Sequence, residues 1–310
     1  MKKFDILSLG SIYLDINSTN FPFDEGLSVE TETVGKDYIA GPGGSAVIFS
    51  LVSSNLGLKP VFIGKVGNDI FGNIVNEQLE KSGIKPALIK SNNDSTNLGM
   101  NFVNSKGKTL MTVVGSANQS LKAEEITEKI YQYLDEISYL YLGGYFKLQL
   151  LQSHYPEIIS KAKQSGVKII LDHGRVANTV TKENLKSIKK ILPQIDIYLP
   201  SKEEFLELFN CSTIEEGLKE VLQINPDITI VVKNAEEPAV GLDKNNETIY
   251  VNSIAVNPVN TVGAGDTFNS GFIKAQIDGL SLKESIEFAH KVAAFKISKN
   301  AYPKLPDLIE

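Results

Sequence analysis

The chain has 310 residues, 42% of them hydrophobic and 22% charged, enough for a substantial core and too apolar for a long disordered tail. A formal net charge of −6 excludes a broad electrostatic footprint for nucleic acid, so any anion must be held locally. The single cysteine, Cys211, excludes a disulfide framework and a cysteine-based zinc site within one chain.

In chain order, the opening MKKFDILSLGSIYLDI carries two lysines, but Asp5, Ser8, Gly10 and Asp15 interrupt its apolar stretch. It lacks a signal-peptide profile, and no apolar run reaches the roughly 18 residues of a membrane span. A cytoplasmic protein without membrane or nucleic-acid partners is expected. Strands are predicted over 5–10, 61–67, 139–144, 168–172, 195–200 and 228–233. Helices are predicted near 45–56, 70–82, 123–134, 152–165, 181–191, 202–209, 266–278 and 282–299. This alternation is that of crossover units on a mostly parallel sheet. Residues 16–40 and about 96–114 break it and read as strands joined by turns, with NSKGK as a hairpin signal. The expected organisation is one α/β domain over 1–310 with a discontinuous β lid from those two stretches.

The segment NTVGAGDTFNSGF, residues 260–272, carries the strongest chemical signal. Gly263, Ala264 and Gly265 are small enough for successive N–H groups to converge, and the following residues have helical spacing. A glycine turn opening a helix is an anion site, because unpaired N–H groups and the positive end of the dipole point the same way. Asp266, in the first turn, is then placed to take the proton of a hydroxyl attacking a bound phosphoryl group. Taken alone it reads more often as a helix cap.

A second glycine turn, AGPGGSAVIFSLVSSNLG at 40–57, feeds a helix but fits neither the phosphate-loop nor the dinucleotide pattern. GPGGSAVIFSLVSSNLG, IGKVGNDIFGNIVNEQLEKSGI and NTVGAGDTFNSGF, with GSANQSL and LPSKEEFLELF, together resemble the signatures of the ribokinase-like (PfkB-type) carbohydrate kinases, in the family's order and spacing and nearly end to end. The resemblance implies a three-layer α/β/α, Rossmann-like fold with a mostly parallel central sheet and a small β lid. It implies ATP and Mg²⁺ as cofactors and a sugar-like acceptor as partner, and allows a monovalent cation and a homodimer through the lid. By the same resemblance Gly263, Ala264 and Gly265 form the anion hole, Asp266 is the base, and Asp15, Gly43 and Gly44 bind the acceptor. Glu204 would assist Mg²⁺ through water, while Lys233, His290, Ala294 and Asn300 would meet the nucleotide.

Departures from the family pattern also carry information. Ile48 stands where the family commonly has asparagine, and Gly143, Gly144 and Tyr145 where an acidic sugar ligand is frequent, so ribose cannot be assumed as acceptor. In LDHGR, His173 and Arg175 are candidates for an anionic acceptor, with a structural role as the alternative. Ser201 replaces a usual asparagine and Asn260 a frequent aspartate. In VVKNAEEPAVGL, the usual Thr-x-Gly-x-x-Gly has become Lys233, Ala235 and Pro238. Pro238 has no N–H, and Glu236 and Glu237 repel a polyphosphate, leaving Lys233 to compensate as a point charge. The leading expectation is ATP-dependent phosphorylation of a sugar-like hydroxyl; the alternative is a catalytically weak regulatory relative. A nicotinamide enzyme is disfavoured because GSIYLD after the first strand is not a dinucleotide fingerprint.

Overall fold

Ile6 packs into one apolar cluster while Leu7 and Leu9 pack into another, because successive side chains of a strand point to opposite faces. This alternation repeats through the central strands and is what sandwiches the sheet between two helical layers. The computed structural model describes residues 2–19, 21–23, 32–104, 109–176, 180–242, 247–299 and 301–308.

The first half runs β1 (Ile6–Gly10), β2 (Tyr13–Thr19), β3 (Asp37–Gly43), α1 (Ser45–Asn55), β4 (Pro60–Ile63), β5 (Lys65–Gly67), α2 (Ile70–Lys81), β6 (Lys85–Pro86), β7 (Ile89–Ser91), β8 (Leu98–Val103), β9 (Thr109–Val114), α3 (Ala123–Tyr131), β10 (Tyr139–Gly143) and α4 (Tyr155–Gln164). The second half runs β11 (Lys168–Asp172), α5 (Lys182–Ile191), β12 (Ile197–Tyr198), α6 (Lys202–Phe209), α7 (Ile214–Ile224), β13 (Thr229–Val232), β14 (Ala239–Leu242), β15 (Thr248–Val251), α8 (Ala264–Ile277) and α9 (Leu282–Lys299).

The main sheet has the order β15-β14-β13-β12-β11-β10-β1-β4-β6. It is parallel except at β14, which is antiparallel to both its neighbours. From β1 the chain moves outward to β4 and later returns to β10 on the other side of β1. That reversal makes a crevice at the carboxyl ends of β1 and β10, where ligands of open α/β sheets bind. One face carries α1, α2, α8 and α9 and the other α3 to α7, each packed on its own apolar cluster.

A separate four-stranded sheet of order β3-β2-β8-β9 is the lid. Its register aligns Gly41, Asp15, Gly99 and Val113 in one row and Ile39, Asn17, Asn101 and Met111 in the next on the same face. Of the expected hairpin NSKGK at 104–108, residues 105–108 lie outside the described residues.

The expected strand over 61–67 is instead two strands. It breaks at Gly64, whose carbonyl accepts from Ile89 N–H at 2.9 Å, and its second half pairs with β7 away from the main sheet. The helix expected from 266 begins at Ala264. The expected elements do not include α7, although Thr213 and Glu216 form its capping box, nor β14 and the edge strand β15. Among the described residues no helix is long and apolar enough to cross a membrane.

Candidate active site

The carboxyl ends of the parallel strands deliver their following residues to one place: Ser11 after β1, Gly144 and Lys147 after β10, Gly174 and Arg175 after β11, Ser201 after β12 and Lys233 after β13. All line a cavity of about 900 Å³ between the main sheet and the lid. Asp15, Asn101 and Met111 close it from the lid, and α8 and α9 form the remaining wall.

The anion-hole segment is a sharp turn that ends in a helix. Gly263 caps α8 with φ of 77°, a left-handed conformation that glycine adopts without steric cost. Ala264 N–H is committed to the Thr261 carbonyl at 3.1 Å. The donors available to an anion are therefore those of the next residues of the first turn, which lack intrahelical partners. Asp266 follows in that turn, and its carboxyl is pushed up to about 8. Burial is the main cause and Asp172 adds repulsion, while Lys233 and a hydrogen bond from Ser45 oppose them.

Beneath Asp266 lies a buried polar network that the sequence did not announce. Lys233 Nζ donates to Asp172 Oδ2 at 2.9 Å and to Asn269 Oδ1 at 3.1 Å. Asn269 Nδ2 in turn donates to Asp172 Oδ2 at 2.5 Å and to the Tyr141 hydroxyl at 3.1 Å. The Tyr141 ring stacks on Phe49 with centroids 3.8 Å apart. Burial pushes the Asp172 carboxyl up, but the charge and hydrogen bond of Lys233, with His173 and Asn269, outweigh it and hold Asp172 below the usual carboxylate range. The Lys233 ammonium, expected to serve as a point charge, turns inward to Asp172 and passes beside Gly265, within 3.6 Å of where a Cβ there would stand. In the rest of that loop, Ala235 adopts φ of 47°, and Asn234, Ala235 and Glu236 reach the cavity wall.

At the other end, the Asp15 carboxylate fits between two glycines. A Cβ on Gly43 or on Gly99 would overlap its oxygens, so Gly43 shapes the socket of Asp15 while Gly44 lines the cavity itself. Burial pushes Asp15 up to about 6. Next to it Asn101 donates to Asn17 Oδ1 at 2.9 Å, and its own buried Oδ1 accepts no hydrogen bond from the protein. Gly99 and Asn101 were missed as site residues, though their alternation on a lid strand would have placed them on one face with Asp15.

Arg175 stands exposed on the cavity wall, as does Lys147, another residue the sequence reading passed over. Partial removal from water lowers the Lys147 pKa, Glu204 opposes this, and nearby Arg175 adds to it. His173 instead turns into the core, fully buried, with Nδ1 3.0 Å from the Tyr198 hydroxyl. Its expected contact with an acceptor is not made.

Glu204, in the first turn of α6, lines the cavity. Among the described residues no cluster of three or more His, Cys, Asp or Glu side chains forms a protein cage for a metal. Glu204, with Glu203 beside it on the cavity wall, suits Mg²⁺ that keeps its waters and takes its other ligands from phosphate. His290 and Ala294 line an apolar wall with Ala293 and Ile297. Burial pulls the His290 pKa down, its Nε2 has no hydrogen-bond partner among the described residues, and its ring meets Phe268 edge-on at 5.1 Å. Ile48 abuts Gly263. Asn300 lies outside the described residues.

Comparisons with known proteins show the family and the fold. Residues 3–303 match the model of the pfkB family carbohydrate kinases. The chain is 26% identical to an ATP-dependent 6-phosphofructokinase of Thermoanaerobacterium thermosaccharolyticum, covering 99% of this chain and 92% of that protein. It is 27% identical to a 5-dehydro-2-deoxygluconokinase of Clostridium beijerinckii, covering 97% and 89%. The structure of a putative ribokinase II from E. coli in complex with ATP and Mg²⁺ superposes with a TM-score of 0.81 at 22% identity, over 99% of this chain and 98% of that one.

Proposed function

Since the chain belongs to the pfkB family of carbohydrate kinases, we propose that it moves the γ-phosphoryl group of ATP to a hydroxyl of an anionic sugar derivative, with Asp266 as base. The observation that carries this reading is Asp266 itself. It is a half-buried carboxyl poised near neutrality, in the first turn of a glycine-capped helix, in the same cavity as the socketed carboxylate Asp15. A base with a pKa near the working pH combines deprotonation with proton affinity.

In the reaction the acceptor oxygen bonds to phosphorus, the bond from phosphorus to the ADP oxygen breaks, and the acceptor proton passes to Asp266. N–H groups of the α8 first turn and the Lys233 ammonium stabilise charge on the transferred group. Asp15 accepts hydrogen bonds from acceptor hydroxyls, and the free Oδ1 of Asn101 accepts another. Bound Mg²⁺ would neutralise phosphate charge, held through water by Glu204. The nucleobase would lie against His290, Ala294 and their neighbours.

Lys147 and Arg175, two cations on one wall whose mutual repulsion Glu204 offsets only at Lys147, favour an acceptor bearing phosphate or carboxylate. A 6-phosphofructokinase and a 5-dehydro-2-deoxygluconokinase among the relatives fit that class. The regulatory alternative is set aside, because a sensor has no use for a poised base. We also propose a cytoplasmic location, where ATP is at hand, and a homodimer through the lid, whose Tyr38 and Leu110 are exposed in the row on the face opposite Asp15. A monovalent cation is left to the same assay.

The test is ADP release across pentoses, hexoses, ketohexose phosphates, aldonic acids and nucleosides, with and without added K⁺. An anionic acceptor should be turned over, Asp266→Asn should lose about 10²- to 10⁴-fold in rate while still binding it, and Arg175→Ala should weaken anionic acceptors alone. Near-normal turnover by Asp266→Asn would remove it from this role, and a neutral sugar as best acceptor would remove Lys147 and Arg175 from theirs.

A further inference from the structure

Lys296 is a buried charge that the proposed reaction leaves unused, and unlike buried Lys65, which is paired with Asp94 and Glu125, it has no carboxylate within salt-bridge distance among the described residues. It sits near the end of α9 with 3% of its surface exposed. Its ammonium donates to the backbone carbonyl of Asn260 at 3.0 Å, a neutral partner where a buried lysine is ordinarily met by a carboxylate. Burial pulls its pKa down to about 8, with Asp266 as the opposing charge. A lysine kept in such surroundings costs stability, so its position calls for an account in terms of what it holds.

What it holds is the start of the anion-hole turn. Val259 and Asn260 N–H groups both donate to the Ile297 carbonyl, at 2.9 and 3.2 Å, while Lys296 grips the Asn260 carbonyl. Residues 259–260 are thus clamped to the end of α9 through donors and an acceptor together. From this clamp the chain turns at once: Asn260 Oδ1 accepts from Val262 N–H at 2.9 Å, Ala264 N–H donates to Thr261 at 3.1 Å, and Gly263 caps α8. Asn260 is neutral, so it does not cancel the lysine charge.

We infer that Lys296 is a positioning residue for phosphoryl transfer, its ammonium serving as a tethered cation that fixes the Asn260 carbonyl and thereby the direction of the first-turn N–H groups of α8. This rests on the reading of that turn as the phosphate site. Lys296 does not line the cavity, while its neighbours Ala293, Ala294 and Ile297 do, so it acts on the phosphate through the turn and through its field. A displacement of the donors by about 1 Å is enough to cost on the order of 10²-fold in rate.

The experiment compares wild type, Lys296→Met, Lys296→Ala and Asp266→Asn. Lys296→Met keeps the volume, so it should melt no lower than wild type and bind acceptor unchanged by calorimetry. Its kcat should fall about 10- to 100-fold. Amide exchange over residues 257–265 of the nucleotide-free protein should be at least about tenfold faster, reading the clamp without catalysis. In Lys296→Ala, propylammonium should restore part of kcat where 1-propanol, which fills the same space without charge, should not. Equal rescue by both would reduce Lys296 to packing and overturn the inference. So would a kcat of Lys296→Met within about twofold of wild type, or unchanged exchange over 257–265. If Asp266→Asn is inactive while Lys296→Met is normal, this inference alone falls; if Asp266→Asn also stays active, the phosphate-site reading falls with it.

Discussion

The Lys233 ammonium lies 2.9 Å from the Asp172 carboxylate, bridging the ends of two parallel strands directly below the proposed base. Both side chains are about nine-tenths withdrawn from solvent, at 11% and 7% exposure. The pair therefore does two things at once: it keeps Asp172 ionised inside the protein, and it sets the balance of repulsion and attraction that Asp266 feels.

Removing one partner should expose that dual role. Lys233→Met should destabilise the protein by about 3–5 kcal/mol, the scale for orphaning a buried charge, whereas adding Asp172→Asn to it should recover most of the loss. Urea unfolding of the two variants and wild type measures both. Equal stability of Lys233→Met and wild type would show that the pair carries no such strain.

The base should leave its signature in the pH profile. Asp266 acts only when deprotonated and is pushed up to about 8 in the nucleotide-free protein. kcat/KM, which reports the free enzyme, should therefore rise with pH from 6.5 towards 8.5. A profile flat across that range would place the ionisation elsewhere.

Asp15 should trade stability for binding. A carboxyl moved from its usual 3.8 to about 6 by burial is protonated in folded and unfolded chains below about pH 4. Stability then falls as pH rises through the interval from about 4 to 6, because the folded protein holds the proton longer. Asp15→Asn should thus be more stable than wild type by about 2–3 kcal/mol at pH 7 and no more stable at pH 4, while losing acceptor affinity. Melting at the two pH values and acceptor calorimetry decide it, and a stability gain equal at both would contradict the assignment.

Gly99→Ala should act on the acceptor alone. Its new methyl group would overlap the Asp15 carboxylate, which already abuts Gly43 on its other side. The acceptor KM should rise about tenfold or more, the scale of one displaced hydrogen bond to a charged group, with the ATP KM unchanged. Unaltered kinetics for both substrates would mean that Asp15 has room to move.

Much of this was legible in the residues themselves. The strand and helix pattern marked the parallel sheet because each segment had its own period and its own glycine or polar stop. The turn at Gly263 was visible because few other sequences permit it. What stayed hidden was assembled across distance. Asp172, Lys233, Asn269 and Tyr141 lie on four separate elements and meet only when β10, β11, β13 and α8 pack. Lys296 was illegible for the same reason, since a lysine in the last turn of a helix ordinarily reads as a solvated charge facing the dipole. The strand expected over 61–67 misled because its apolar run continues past Gly64 while the backbone changes partners there.

Asp15 and Asp266 belong to different layers of the molecule, the first to the lid strand β2 and the second to α8 packed on the main sheet. With Asp15 read as the acceptor ligand and Asp266 as the base, the distance between the acceptor and the group that activates it is a property of how two layers sit, rather than of either one. An acceptor that grips Asp15 poorly leaves the hydroxyl away from the base even when ATP is in place. On that reading, dividing the two carboxylates between layers makes the reaction conditional on a ligand that joins them, a condition that water does not meet and that would protect the nucleotide from futile hydrolysis.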